Sequence, residues 1–85
     1  MMREGIMISD REGWKIWIGQ EAYSVYEGMP IEIKFQSDYL NFIVGKDCED
    51  WFVEHWGAIT FNLRHLDVYK VRAATIELMD EEDVF

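Results

Sequence analysis

Cysteine is almost absent from this 85-residue chain, which contains Cys48 alone. A single thiol cannot form an intramolecular disulfide, and small secreted domains usually carry several bridges, so a reducing, cytoplasmic setting is expected. Long apolar runs are missing too, since polar residues interrupt every stretch well short of the roughly 20 residues that a membrane span requires. The start of the chain lacks the apolar stretch and cleavage site of a signal peptide. We therefore expect no disulfide scaffold and no membrane partner.

Basic residues are also few, because eight Lys and Arg stand against 17 Asp and Glu and leave a formal net charge of −9. A surface of this sign repels polyanions, so no direct binding to nucleic acid or to an anionic membrane is expected. The charge is unevenly spread, since five acids and no base fall within residues 74–85. We predict a single small domain over residues 1–73 and an acidic C-terminal extension over residues 74–85. The extension is either a solvated chain end or an acidic contact element.

Alternation of apolar and polar residues dominates residues 1–73, and the apolar types are mostly the branched and aromatic ones that suit strands. Two leucines three apart, Leu63 and Leu66, predict one short helical turn near residues 63–67. Five or six short, tightly connected strands favour a mainly β fold, a small SH3-like, partly open barrel of antiparallel strands. The predicted strands cover residues 3–8, 14–18, 31–35, 39–44, 51–56 and 68–72, with 22–26 as a short bridging strand.

The same alternation predicts which side chains are buried. In the first strand, Ile6 and Ile8 share one face, which we assign to the core. The alternative fold is one sheet covered by a C-terminal helix over residues 73–79, with Ile76 and Met79 on one helix face. The predicted core consists of Ile6, Ile8, Trp14, Ile16, Ile18, Ile31, Ile33, Leu40, Phe42, Val44, Val53, Leu66 and Val71.

Residues that could perform chemistry are scarce, since His55 and His65 are the only histidines. With Cys48 they fit no zinc pattern, because structural zinc sites use closely spaced ligand pairs. Phosphate-binding glycine motifs, a calcium loop and a glycine-rich turn beside a nucleophile are all absent from the sequence. We therefore predict no metal, no cofactor and no enzymatic activity.

Aromatic residues are the abundant feature, with four Trp, four Tyr and five Phe, more than a domain of this length readily hides. Trp17 and Tyr39 alternate with core residues in their strands and are expected to point outward. Tyr23 and Tyr26 can point either way, as can Phe52 and Trp56. Rings of this kind either cover the open ends of a barrel or form a binding patch. The candidate protein-binding residues are Trp17, Tyr23, Tyr26 and Tyr39.

The turn glycines and the aromatic residues of several segments occur along the chain in an order that can be compared with known families. The segments are Gly5-Ile6-Met7, the hairpin that ends in Trp14, Glu27-Gly28-Met29-Pro30-Ile31-Glu32-Ile33, Asp50-Trp51-Phe52-Val53 and Val68-Tyr69-Lys70-Val71-Arg72. In this order the chain resembles, over about residues 3–73, a family of small β-barrel domains of unknown function from Gram-positive bacteria and their plasmids and phages. The resemblance implies a compact barrel and a bacterial or mobile-element setting, and it supplies no catalytic residue.

Two functional hypotheses follow. In the first, the protein is a non-enzymatic interaction domain that binds another protein through exposed aromatics or an edge strand. In the second, it is an acidic nucleic-acid mimic or inhibitor from a mobile element, whose carboxylates occupy a basic groove of a nucleic-acid enzyme. An uncovered edge strand, at residues 3–8 or 68–72, could also pair two copies as a homodimer.

Overall fold

The computed structural model describes residues 1–48, 50–55 and 59–78. Trp56, Met79 and the acids at positions 80–83 therefore lie outside the described residues, together with the predictions made for them. Eight strands pair antiparallel in one sheet with the order β3-β2-β1-β8-β4-β5-β6-β7. They are β1 (Met2–Asp10), β2 (Gly13–Ile18), β3 (Glu21–Ser24), β4 (Pro30–Phe35), β5 (Asp38–Asp47), β6 (Asp50–His55), β7 (Ile59–Asn62) and β8 (Tyr69–Ala74).

The mainly β, antiparallel architecture is confirmed, whereas the predicted SH3-like, partly open barrel of five or six strands differs from the structure in detail. The structure has eight strands rather than five or six, because the short bridging segment forms β3 and residues 59–62, for which no strand was predicted, form β7. The sheet does not close, so β3 and β7 remain its two edges. The strands at residues 3–8 and 68–72, expected as possible edges, lie in the middle of the sheet, since β1 pairs with β2 and β8, and β8 pairs with β1 and β4.

The predicted helical turn near residues 63–67 is wrong. Leu63 continues the pairing of β7, because its N–H donates to the carbonyl of Trp51 at 3.0 Å, and the chain then reverses in a turn closed by Asp67 N–H donating to the Arg64 carbonyl. The two leucines consequently have opposite environments: Leu63 is buried and Leu66 is 96% exposed. One 3-10 helix, Thr75–Glu77, occupies part of the segment where a longer helix was the alternative.

The register of β1 decides which face of the sheet is buried. Met7 lies opposite Ile16 and Ile6 lies opposite Trp17. Met7 and Ile16 are fully buried, whereas Ile6 is 41% exposed, so the assignment of Ile6 to the core is wrong. Ile6, Met7 and Ile8 are three consecutive apolar residues, so the sequence of β1 alone does not show which of its faces is buried. The pairing of β1 with β2 determines that Met7 faces the core.

We call the buried side of the sheet the inner face and the other side the outer face. Of the predicted core, Leu40 is 40% exposed near the start of β5, Leu66 lies in the turn, and Ile8 and Ile18 are only half-buried. Six buried apolar residues were missed, among them two from the connection between β3 and β4. The missed residues are Met7, Tyr23, Val25, Met29, Leu63 and Ala73.

The sheet curves around its own inner face. The connection between β3 and β4 buries Val25 and Met29 in the core. Its last residues extend the pairing of β4 with β5, because Gly28 N–H donates to the Val44 carbonyl at 2.7 Å and Val44 N–H donates to the Met29 carbonyl at 2.9 Å. The ring of Tyr69 in β8 contacts both Trp14 of β2 and Phe61 of β7, with centroids 5.8 and 6.0 Å apart. Strands from both halves of the sheet thus share one core. Across residues 1–48, 50–55 and 59–78, no helix has the length and apolar character to cross a membrane.

Candidate functional site on the outer face

An apolar row crosses the middle of the outer face. Met2 of β1 lies opposite Ala74 of β8, Pro30 of β4 lies opposite Ile43 of β5, and Ile43 lies opposite Glu54 of β6. Outward positions of a single antiparallel sheet are normally polar, because that face meets water. Here four neighbouring strands each contribute an apolar residue to it instead.

This row forms the floor of a cavity of about 430 Å³. Its largest apolar side chains are open to solvent, with Ile43 49% and Met2 41% exposed. We call this cavity the outer groove; its lining residues are Met2, Pro30, Ile31, Glu32, Asn41, Phe42, Ile43, Glu54 and Ala74. An open depression with an apolar floor is suited to side chains of a partner protein.

The amino-acid types explain why the groove forms here. The run Phe42-Ile43-Val44 is apolar at three consecutive positions, so β5 buries Phe42 and Val44 on the inner face and must expose Ile43 on the outer one. Pro30 of β4 and Ala74 of β8, which lie on one side of Ile43, are too short to fill the space above the sheet. The groove is therefore a consequence of a strand that is apolar on both faces.

Acidic groups border the groove. Glu32 accepts hydrogen bonds from Nε and Nη2 of Arg72, the former at 3.0 Å, so its charge is largely compensated. Glu54 lies at the β6 end, and within the described part of the chain no cation pairs with it. No Lys or Arg lines the groove. The uncompensated charge at this site is therefore negative.

Tyr39, one of the predicted binding residues, lies in a charged cluster beside the groove. Its hydroxyl donates to Glu4 at 3.0 Å, and the Arg72 guanidinium lies over its ring at 3.9 Å from the centroid. Partial burial and the hydrogen bond to Glu4 raise the pKa of Tyr39 above its ordinary value. These contacts hold the ring in place on the outer face, where it is half-buried.

Trp17 forms a second apolar patch with Ile6, on the far side of this cluster. The two residues face each other across β1 and β2 and are 37% and 41% exposed. Tyr23 is not part of the patch. It pairs with Ile16 on the inner face and is buried, and its hydroxyl donates to Glu21 at 2.9 Å, a bond that raises the pKa of Tyr23.

Tyr26, the last of the predicted binding residues, lies in the connection between β3 and β4. Its ring packs against the core, and its hydroxyl donates to the carboxylate of Glu77 in the 3-10 helix. Burial and this hydrogen bond raise the pKa of Tyr26 to about 12. Tyr26 thus links the 3-10 helix to the core. The structure does not bring Tyr26 together with Trp17.

A second cavity, of about 300 Å³, contains two of the three residues that were considered for chemistry. Cys48 and His65 both line it, between the tips of the β1–β2 and β5–β6 hairpins. The Nδ1 atom of His65 lies 3.0 Å from the hydroxyl oxygen of Ser9, and its ring stacks on Trp14. Nucleophilic catalysis needs a base oriented by a third group, and no carboxylate in the described ranges bonds to His65. The described residues also include no cluster of three metal-ligating side chains.

Comparison with known proteins finds no matching family model, no curated protein and no solved structure that matches this chain. The resemblance to small bacterial β domains therefore stays a prediction. The site is defined by this structure alone. Sequence reasoning missed the groove, because Met2, Pro30 and Ala74 become neighbours of Ile43 only through long-range pairing. The consecutive apolar triplet at 42–44 was the one signal that could have revealed it.

Proposed function

We propose that this protein is a non-enzymatic interaction domain whose outer groove takes a segment of another protein. The observation that carries the proposal is the apolar floor on the solvent side of the sheet, where Ile43 and Met2 are close to half exposed. Exposed apolar groups that adjoin one another on a small domain are a common mark of a protein interface. The groove is open rather than enclosed, and so favours side chains of a partner over a small molecule, which pockets usually surround.

The charge of the groove indicates what the segment carries. Glu54 and the net charge of −9 favour a partner segment in which apolar side chains are flanked by Lys or Arg. The same charge disfavours nucleic acid and anionic lipid as direct ligands. The patch of Trp17 and Ile6 adds an aromatic ring to the apolar surface that a partner could contact. It lies beyond the charged cluster of Glu4, Arg72 and Tyr39.

The cytoplasm is the compartment that we propose for this interaction. Cys48 is exposed and has no second cysteine to pair with, which fits a reducing environment.

A second candidate function is favoured by the charge alone. In this proposal the protein is an acidic nucleic-acid mimic or inhibitor from a mobile element, and carboxylates rather than apolar groups make the contact. More than half of the net charge of −9 belongs to residues 74–85. The mimic proposal therefore depends mainly on that extension, whereas the interaction domain depends on the groove.

The experiment is capture from a bacterial lysate on the immobilised protein, at low and high salt. Ile43→Glu places a charge on the groove floor and is expected to abolish capture. Leu66→Glu is the matched control, since Leu66 is an equally apolar and more exposed residue outside the groove, and it is expected to leave capture unchanged. Capture that survives Ile43→Glu but disappears at high salt and on deletion of residues 79–85 would favour the mimic instead.

A further inference from the structure

The two edges of the sheet differ in how well they are protected. Natural proteins guard edge strands with charges, prolines or bulges, because unpaired backbone groups accept another strand. The β3 edge carries Glu21, whereas the β7 edge reads Ile59-Thr60-Phe61-Asn62 and contains neither a charge nor a proline. In a chain with 29% charged residues, an edge of this composition is unprotected.

The pairing of β7 shows which of its backbone groups face outward. Leu63 N–H donates to the Trp51 carbonyl, so in the β6–β7 ladder the odd-numbered residues of β7 bond to β6. Thr60 and Asn62 then direct their N–H and C=O groups away from the sheet. In the described ranges, no backbone group bonds to either residue on that side. Two donors and two acceptors at strand spacing are therefore available.

An apolar cavity of about 200 Å³ lies beside this edge on the inner face. Ile59 and Phe61 form the wall of this cavity at the β7 edge, and Ile59 is 59% exposed. A strand added beyond β7 would place alternate side chains next to these two residues. The remaining wall is formed by Phe35, Leu40, Phe42 and His55.

We propose that β7 accepts an extended segment of a partner protein by antiparallel or parallel strand addition, with a large apolar side chain of that segment packed over Ile59 and Phe61. The main-chain groups of Thr60 and Asn62 supply the hydrogen bonds, and the apolar cavity supplies the side-chain preference. The net charge of −9 disfavours a second copy of this chain as the occupant and favours a partner segment without acids. This surface is distinct from the outer groove and does not depend on it.

The test uses a random nonapeptide phage library panned against the full-length protein. We expect selected peptides to alternate apolar and polar residues and to avoid acids. Synthetic copies of the selected peptides are then N-methylated at alternate amides. Methylation of the amides that face β7 should weaken binding at least tenfold, because it removes hydrogen bonds to Thr60 and Asn62. Methylation of the other set of alternate amides, which face away from β7, should have little effect.

Variants of the protein locate the contact. Thr60→Pro removes an outward N–H without breaking the ladder to β6, which is where proline is tolerated in a sheet, and it should weaken peptide binding at least tenfold. Thr60→Val retains the N–H and should bind like the unchanged protein. Ala22→Pro removes the corresponding outward N–H from β3 and should also have no effect. Amide NMR spectra of each variant confirm that the sheet is intact.

Four outcomes overturn the proposal. One is a library that yields no binder, and another is binding that Thr60→Pro and both methylation patterns leave unchanged. The third is a concentration-dependent dimer of the protein by sedimentation that Thr60→Pro abolishes, which would assign β7 to a second copy. If Ile43→Glu rather than Thr60→Pro removes peptide binding, the selected peptides occupy the outer groove and the strand-addition proposal fails.

Discussion

Truncation of Met7 and of Ile6, adjacent residues in β1, tests the register on which the outer groove depends. Met7 is fully buried on the inner face, and truncation of a buried methionine to alanine costs about 2–5 kcal/mol. Ile6 is 41% exposed on the outer face, so Ile6→Ala should cost about 1 kcal/mol or less, because only part of its apolar area leaves water on folding. A domain of this length is expected to have an unfolding free energy of about 4–13 kcal/mol, so Met7→Ala removes a large share of it.

The assay is equilibrium urea unfolding followed by tryptophan fluorescence. At a typical urea slope of about 1–3 kcal/mol per molar, Met7→Ala should lower the midpoint by about 1 M or more, and Ile6→Ala by much less. Equal shifts, or a larger shift for Ile6→Ala, would refute the register. In that case Met2 and Ile6 would turn inward, and the outer groove would lose one end of its floor.

Two further predictions concern contacts elsewhere in the sheet. Gly45→Ala should destabilise the fold by about 1–3 kcal/mol, because a Cβ atom there would lie within 3.0 Å of the Phe52 ring. The same change in a Phe52→Ala background should cost less, and additive costs in a double-mutant cycle would disprove the contact. Tyr26→Phe should remove a pH dependence of stability. Burial and Glu77 raise the pKa of Tyr26 to about 12, so the folded state holds this proton more tightly than the unfolded state does. The resulting stabilisation is complete below about pH 10 and is lost as the pH rises through 12. Identical urea midpoints against pH for Tyr26→Phe and the unchanged protein would contradict this.

The central strands could be predicted from the sequence, because their signal is local. Ile31 to Phe35 alternates clearly, and the structure pairs it as β4 with β5, which follows a short turn and contains Tyr39 to Val44. Trp14, Ile16 and Val71 were correctly placed in the core for the same reason. Period-two alternation identifies a strand and its faces wherever one face is polar.

The failures lie where the local pattern is ambiguous. The run Ile6-Met7-Ile8 is apolar on both faces, so only pairing with β2 could show that Met7 is buried. The β7 segment is short and follows Gly57, and its strand character depends on pairing with β6. Leu63 and Leu66 have helical spacing by coincidence, since Leu63 directly follows β7 and Leu66 lies inside the turn that comes after it.

The candidate site was even less accessible from the sequence. Trp17 and Tyr39 were predicted to point outward and both lie on the outer face, whereas Tyr23 packs on the inner face, beside Ile16. The groove itself joins β1, β8, β4, β5 and β6, and no local pattern encodes a surface built by five strands. Strand order had to be known before Met2 and Ile43 could be recognised as neighbours.

Photo-cross-linking from the groove floor tests the central claim most directly. The photoreactive residue p-benzoylphenylalanine replaces Ile43 in one variant and Leu66 in another, and both are irradiated in a bacterial lysate. We expect a discrete adduct from position 43 alone, joined to a partner segment with apolar side chains flanked by Lys or Arg. Adducts of equal yield from both positions, or none from position 43, would contradict a protein-binding role for the outer groove.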